Sequence, residues 1–195
     1  MDSTTQYVLA YALTTTAGIR GLLALAAVSI AAHFGLIHPP QGFAWLATWQ
    51  AASVLSGVAL LDVVGDKIPF LDHVLHAAHV IVKPAAAAIL VGGIVHPHST
   101  EQLLALMALG ALNALGIHAA SATARGASTM TTAGIANPFL SLFEDALSIA
   151  MLVIAFVAPY LAAAVALLLT LAIIALVVRA RRLRTVPEAL ERRGY

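Results

Sequence analysis

Residues 7–32 read YVLAYALTTTAGIRGLLALAAVSIAA, an apolar run with a single charge, Arg20, near its middle. A helix needs ~20 such residues to cross a bilayer. A lone charge at the centre of a spanning helix costs roughly 2.5 to 3.5 kcal/mol. Lys83, Glu144 and Asp145 lie in similar apolar runs. The sequence therefore predicts a polytopic membrane protein whose buried charges face one another or water.

Composition supports this class, because 61% of the 195 residues are hydrophobic and only 10% are charged. Soluble domains carry about 25% charged residues. The net charge of +1 gives no broad basic surface for nucleic acid. The absence of cysteine excludes disulfides and thiolate chemistry. The N-terminal MDSTT lacks the basic residues of a signal peptide, so the first apolar run is expected to be retained.

Six helical spans are predicted, because lipid leaves no other way to satisfy the backbone of such apolar segments. They are Tyr7–Ala32, Phe43–Val64, Val74–Val95, Leu103–Ala120, Phe139–Val157 and Tyr160–Val178. We expect an all-α membrane protein with one transmembrane domain, 1–178, made of the halves 7–95 and 103–178. A basic cytoplasmic tail, 179–195, follows it.

Basic residues outside the spans predict the orientation. Lys67, Arg125 and the arginine-rich tail fall in alternate loops, whereas the loops 33–42 and 96–102 contain no Lys or Arg. A chain with six crossings would then have both termini in the cytoplasm, in a bacterial inner membrane. The bilayer is the expected partner, and the tail is expected to bind anionic lipid. The sequence leaves a homo-oligomer open.

The segment 119–138 consists mainly of Ala, Gly, Ser and Thr, with one charge, Arg125. Small residues allow close approach of backbones, and hydroxyls can satisfy amides where a helix breaks. This composition is compatible with a broken or re-entrant segment and equally with a flexible cytoplasmic loop.

Two short internal echoes suggest related halves. TTAGI occurs at 15–19 and again at 131–135, and AGIRG at 17–21 aligns with ATARG at 122–126. Halves of three spans each would be inverted relative to one another. Inverted repeats are a common plan of secondary transporters, with the site between the repeats near the midplane.

The third span carries four polar residues on one helical face, because they are spaced by four, three and four. These are Asp72, His76, His79 and Lys83. Imidazoles with a carboxylate could hold a metal cation, could relay protons, or could form an interfacial histidine cluster without further function. Pro84 after Lys83 predicts a kink.

Acidic residues supply the opposite charge. Glu144 and Asp145 are adjacent in the fifth span, so one is expected to be protonated or to meet a cation such as Arg20 or Lys83. Asp62 and Asp66 are four residues apart at the end of the second span and share a helical face.

Four segments carry a family resemblance: AGIRG (17–21), DVVGDKIP (62–69), KP (83–84) and LFEDAL (142–147). They resemble a bacterial family of small integral membrane proteins described only as a domain of unknown function. The resemblance covers most of the chain and implies no particular activity. Residues 62–67 also resemble the Glu-x-Gly-Asp-Lys signature of cation exporters in the lysine-exporter superfamily, which implies inverted three-helix repeats and a cation site. Here an extra residue separates the first acidic residue, Asp62, from Gly65. Ile68 stands where that family has Ser or Thr after the Lys.

Enzyme classes fit less well. The headgroup-transferase motif is incomplete, and the motifs of intramembrane proteases are missing. We therefore expect a small transporter or permease for a cation or a proton-coupled solute, with no resident cofactor apart from a metal cation if one binds. Two alternatives are translocation of an anion or lipid phosphate by Arg20 and Arg125, and a purely structural membrane module.

The expected site combines two groups of residues. The first group binds substrate or ion: Arg20, Asp62, Asp66, Lys83, Arg125, Glu144 and Asp145. The second relays protons or holds a metal: Asp72, His76 and His79. Within the first group, Glu144 and Asp145 bind the cation or proton, and Arg20 and Lys83 act as counterions.

Overall fold

The computed structural model describes the backbone of residues 1–191, and all side chains there except those of 69–74, 76, 177 and 180–191. All regular secondary structure of the described residues is helical, which confirms the predicted fold class. Six α-helices are present, together with a short 3₁₀ helix, Gln41–Ala47. The α-helices are α1 (Ser3–His33), α2 (Trp49–Gly65), α3 (Pro69–Ile94), α4 (Thr100–Thr132), α5 (Asn137–Val157) and α6 (Pro159–Glu191).

Local sequence signals set the helix starts. Asp2, Thr48 and Ser99 cap α1, α2 and α4, each with a side-chain oxygen that accepts a hydrogen bond from a backbone amide of the first turn. Helices α3 and α5 have Pro at one of their first two positions, where a missing N–H costs nothing. Helix α4 ends where Ala133 and Gly134 adopt the left-handed conformation, with φ of 52° and 84°.

Five of the described helices are long and apolar enough to cross a bilayer. A sixth span results if the 3₁₀ helix and α2, which meet at an angle of 66°, are counted together. The predicted multi-pass membrane protein is therefore confirmed. The bend lies at residue 48, whereas the sequence suggested a broken segment at 119–138.

Helix α1 is interrupted at Arg20, whose φ of −134° and ψ of 83° are not helical. Two arms result, 3–19 and 21–33. An unbroken helix of this length would measure about 46 Å. Yet Met1 and Gln6, before and within the first turns, line the same cavity of about 140 Å³ as Ile37 and His38, which follow the helix. The second arm therefore folds back beside the first, and Arg20 forms the tip of a hairpin.

Contacts between helix termini define one end of the bundle, here called the Met1 end. The side chain of Gln6 accepts a hydrogen bond from the backbone of His96, which follows α3. The Tyr7 hydroxyl accepts a hydrogen bond from Gln102 in the first turn of α4. The hydroxyl of Thr5 lies 3.3 Å from that of Tyr160, in the first turn of α6. Helices α2, α4 and α6 therefore begin at the Met1 end, and α3 and α5 return to it.

The opposite end, here called the Arg20 end, holds the tip of α1 and the turn between α2 and α3. The two arms of α1 form the centre of the bundle. In the most apolar 18-residue stretch of α1, 78% of the residues are buried, whereas in that of α6 only 11% are buried. Because α1 folds back, Met1 and the end of α6 lie at opposite ends of the bundle. The prediction of two cytoplasmic termini treated residues 7–32 as one crossing, and the side of the membrane on which each terminus lies stays a prediction.

One further expectation needs correction, whereas the kink at Pro84 and the basic cytoplasmic tail stay predictions. Residues 119–132 continue α4 and form neither a re-entrant segment nor a flexible loop. Their hydroxyls bond carbonyl groups one turn back, as Thr123 does with Ala119 and Thr129 with Arg125, and so do not compete with the helix. Helix α3 runs through Pro84. The backbone of the predicted tail continues α6 as far as Glu191, while the side chains of 180–195 lie outside the described residues.

Candidate functional site

The break in α1 lies where α1 packs closely against α3 and α4. Two glycines flank it and allow close packing. A β-carbon on Gly18 would lie 2.5 Å from Cβ of Ile117 in α4, and one on Gly21 would lie 3.1 Å from Cα of Lys83 in α3. Larger residues at these positions would separate the helices. The glycines thus place the Arg20 backbone within reach of α3 and α4.

The Arg20 guanidinium is 1% exposed and is held by partners from two other regions. One terminal nitrogen donates to Asp66, the C-cap residue of α2. The other donates to Oγ of Ser141 in α5, at 2.9 Å. Nε lies 2.7 Å from Oδ1 of Asp145, an ion pair without the alignment of a hydrogen bond. The tip of α1 is thereby tied to the end of α2 and to α5.

Arg125 closes the network from α4. It pairs with Glu144, which also accepts a hydrogen bond from Ser121, and lies 3.3 Å from Asp66. Asp66 is therefore shared by two arginines, Arg20 and Arg125. These are the two residues that the second internal echo aligns with one another.

Lys67 covers the network on its more exposed side. Its ammonium group lies 2.6 Å from Oδ2 of Asp145 and donates to the carbonyl of Val63 at 2.9 Å. The Lys67 side chain is 35% exposed, whereas the other members of the network are between 1% and 13% exposed. Lys67 is thus the member of the network most accessible from outside.

Formal charges in this network balance. Three cations face three carboxylates: Arg20, Lys67 and Arg125 against Asp66, Glu144 and Asp145. Buried charges are tolerated only when each is paired and hydrogen-bonded. Asp66 follows α2 and lies outside the candidate spans. Burial alone would raise its pKa, but the nearby charges of Arg20 and Arg125 outweigh that effect and hold the pKa of Asp66 below its ordinary value.

A second buried group lies beside the network. Nε2 of His79 is 2.6 Å from Oδ1 of Asp62, and the Lys83 ammonium is 3.3 Å from Nδ1 of His118. The two imidazoles meet edge to face with their centroids 6.3 Å apart. All four side chains are buried. Asp62, His79, His118 and Lys83 thus form a continuous titratable row between α2, α3 and α4, here called the histidine row.

The network lies toward the Arg20 end of the bundle. Arg20 is about 20 Å along α1 from Tyr7, and Asp66 is about 25 Å along α2 from Trp49, at ~1.5 Å per residue. The depth of the network in the bilayer, expected near the midplane, stays a prediction.

The structure brings most of the predicted residues together. Arg20, Asp66, Arg125, Glu144 and Asp145 form one network, and Asp62 lies in the histidine row with His79 and Lys83. Two details differ from expectation. Asp62 and Asp66 bind different partners, because Asp66 turns to α1 while Asp62 turns to α3. Among the described side chains, the polar partner of Lys83 is His118 and not the expected Glu144 or Asp145.

The metal hypothesis receives no support from the described residues. Among them, no three His, Asp or Glu side chains lie close enough to hold an ion. The side chains of Asp72 and His76 are outside the described residues, so the proposed role of these two residues in a relay or metal site stays a prediction.

Three residues of the site were missed by the sequence reading: Lys67, His118 and Ser121. Lys67 enters the sequence-based prediction as a basic loop residue that indicates the orientation and not as a site residue. His118, Ser121 and Arg125 follow spacings of three and four, which places them on one face of a helix. This spacing could have indicated that the three residues share one helical face. It does so only if α4 is known to extend past residue 120.

Fold and site together define a polytopic helical membrane protein with a broken central helix and a buried, charge-balanced network. The chain belongs to the family described as a domain of unknown function, DUF4126, whose sequence profile matches residues 7–179. This agrees with the family resemblance of the four short segments. No curated protein and no solved structure gives a significant match.

Proposed function

We propose that this protein is a small proton-coupled permease of the bacterial inner membrane and that it has no enzymatic activity. The single observation that carries the proposal is the attachment of a broken helix, at Arg20, to carboxylates of two other segments. Discontinuous helices that meet charged groups inside the membrane are typical of secondary transporters. In such proteins the break provides a hinge that a change in local charge can move.

Charge balance favours protons over a metal cation as the coupling species. A cation at Glu144 or Asp145 would have to displace Arg125, Arg20 or Lys67, each of which already neutralises a carboxylate. A phosphate group would likewise have to displace Asp66 from Arg20. A proton needs no such displacement, because protonation of a carboxylate removes its charge and releases the arginine.

The histidine row suits the delivery of protons. Imidazole is the side chain whose ordinary pKa lies closest to neutrality, and it can accept and donate through its two ring nitrogens. In this proposal Asp62 and His79 exchange protons with the Arg20 end. His118 and Lys83 pass them toward Gly21, where α3 touches the hinge.

The proposed orientation places the Arg20 end in the cytoplasm. Lys67, Arg125 and the predicted basic tail all belong to that end, whereas the loops at the Met1 end contain no Lys or Arg. Met1 would then face the opposite side of the membrane. Alternating access would consist of release of the α1 tip from Asp66 and Asp145.

Proton flux into liposomes tests the proposal. Purified protein would be reconstituted with an internal pH-sensitive dye and energised by a potassium diffusion potential, with sodium, phosphate or neither present outside. Wild-type liposomes should acidify faster than empty ones, and Glu144→Gln should abolish the difference. Gly57→Ala is the matched control, since Gly57 has no neighbouring atom within 4 Å of an added β-carbon. Acidification equal to that of empty liposomes under all three conditions would refute the proposal.

One observation favours the purely structural alternative, namely that the network is neutral and almost wholly buried. Buried polar groups can fix the register of packed helices at a cost in stability. The same variants separate the two functions. Under the structural alternative, wild-type protein should give no proton flux above that of empty liposomes. Glu144→Gln should then lower only the stability of the protein.

A further inference from the structure

A crevice opens between α1, α3 and α4, near the Met1 end and away from the charged network. Its volume is about 320 Å³, at the lower end of the ~300–1,000 Å³ range of small-molecule sites. One wall is the first arm of α1, with Tyr7, Tyr11 and Thr14. The others are formed by Val91 and Val95 of α3 and by Leu106, Leu109 and Gly110 of α4.

The crevice narrows to a floor where the three helices converge. At Gly110 an added β-carbon would lie 2.7 Å from Val91 and 3.0 Å from Thr14, so the helices are already in close contact there. Beneath the floor, the amide of Asn113 donates to the hydroxyls of Thr14 and Thr15 at 3.0 and 2.9 Å. From Tyr7 to Thr14 the crevice is about 10 Å deep, at ~1.5 Å per helical residue.

The lining carries no charged residue and contains only three polar side chains. One of them, the Tyr7 hydroxyl, lies at the outer end and accepts a hydrogen bond from Gln102 at 3.2 Å. Another, the Tyr11 hydroxyl, donates to Thr170 of α6 at 3.1 Å. Water needs two to four polar partners to occupy a site stably, and an empty apolar void forfeits dispersion contacts. The crevice therefore suits an apolar occupant.

Its rim lies on an exposed apolar surface of α4. Leu109 on the rim is 62% exposed, and Leu112, one turn further along α4, is 64% exposed. In a bundle that spans a bilayer, such leucines contact hydrocarbon. An occupant can thus enter sideways from the bilayer, with its apolar part toward Thr14 and its polar part near Tyr7 and Gln102, at the membrane surface.

We propose that this crevice is a binding site for one acyl chain of a bilayer phospholipid. The ester and headgroup of the lipid would lie beside Tyr7 and Gln102, and the chain would extend between α1 and α4 toward Gly110. This site is independent of proton coupling, because none of its lining residues belongs to the charged network or to the histidine row.

Photolabelling tests the proposal without any gradient or transport. Full-length protein in nanodiscs would receive a phosphatidylcholine with a diazirine in one acyl chain, and the labelled peptides would be mapped by mass spectrometry. We expect saturable labelling of about one lipid per chain, concentrated on the segments 7–14, 91–95 and 106–110, and competed by unlabelled lipid.

Two variants fill the crevice. Leu106→Trp and Leu109→Trp should each reduce this labelling about tenfold, the change in occupancy that ~1.4 kcal/mol produces. Leu109 tolerates the larger side chain because it is exposed, so that variant remains informative if Leu106→Trp fails to fold. Leu112→Trp is the matched control on the same helix and should leave labelling unchanged. Labelling spread evenly over all lipid-facing helices, or unaffected by Leu109→Trp, would overturn the proposal.

Discussion

Removal of the Arg20 charge should be among the most destabilising single changes in this protein. Among the described side chains, Arg20→Gln leaves Asp66 paired with Arg125 at 3.3 Å, and leaves Asp145 paired with Lys67, which is 35% exposed. It also removes the 2.9 Å hydrogen bond to Ser141. Loss of one partner from a buried ion pair typically costs about 3–5 kcal/mol, because the remaining charge stays buried without compensation.

Lys67, the most exposed member of the network, provides a comparison for the energetic cost of Arg20→Gln. Lys67 has the same formal charge as Arg20 and shares Asp145 with it, but its side chain is 35% exposed. Ion pairs with exposed partners contribute about 0–1 kcal/mol. Lys67→Gln should therefore cost a small fraction of what Arg20→Gln costs, although each change removes one positive charge.

Reversible unfolding in mixed micelles, followed by steric trapping, would measure both free energies of unfolding. A double-mutant cycle between Arg20→Gln and Asp66→Asn should give a coupling energy above ~1 kcal/mol, as expected for residues in one ion-pair network. Equal losses for Arg20→Gln and Lys67→Gln, or additive effects of the Arg20 and Asp66 changes, would refute the reasoning that buried charges hold the α1 tip.

Three further predictions concern packing, helix capping and pH. Gly18→Ala should cost about 1–3 kcal/mol in unfolding free energy because its β-carbon overlaps Ile117, whereas Gly57→Ala in open space should gain up to ~1 kcal/mol; equal effects in a thermal melt would contradict the packing at the α1 break. Thr48→Ala should cost about 1 kcal/mol and reduce helicity measured by circular dichroism, since Thr48 caps α2 through the amide of Ala51 at 3.2 Å; Thr48→Ser should retain the cap. The pKa of Asp66 is lowered in the folded protein, so its stabilising contribution is fully present above the ordinary pKa of ~3.9 and is lost as the pH falls through the folded value. The difference in unfolding free energy between wild type and Asp66→Asn should therefore stay constant from neutral pH down to about pH 5 and decrease only in stronger acid. A difference that disappears near neutral pH would contradict this prediction.

Much of the fold could be read from apolar run lengths, because the solvent requires helices wherever about 20 apolar residues follow one another. The convergence of the buried charges could also be anticipated, since isolated charges such as Arg20 and Glu144 are too costly in lipid. Both inferences rest on energies that depend little on the detailed path of the chain.

The hairpin of α1 could not be predicted from the apolar run lengths. Its two arms together resemble one long span, and the break lies at an arginine flanked by glycines rather than at a proline. Pro84 was the more obvious breaking residue, yet α3 continues through it. What favours the break is tertiary: Gly18 and Gly21 allow α4 and α3 to approach, and Asp66 and Asp145 hold the buried Arg20 at the tip.

The extension of α4 was missed for a related reason. Ala, Ser and Thr between 119 and 132 have modest helix propensity, and their hydroxyls suggested a break. Arg125 and Ser121 instead anchor this stretch to Glu144. Without that extension, the face shared by His118, Ser121 and Arg125 could not be recognised.

Helix α1 folds back at Arg20, and the distance between its two ends can be measured with spin labels. The sequence has no cysteine, so spin labels on Gln6→Cys and His38→Cys would report without background. Both positions line one cavity of about 140 Å³, so pulsed electron paramagnetic resonance should give a mean distance far below the ~40 Å that an unbroken α1 would impose. A distance of about 40 Å or more would show that α1 crosses the membrane once and would contradict the account.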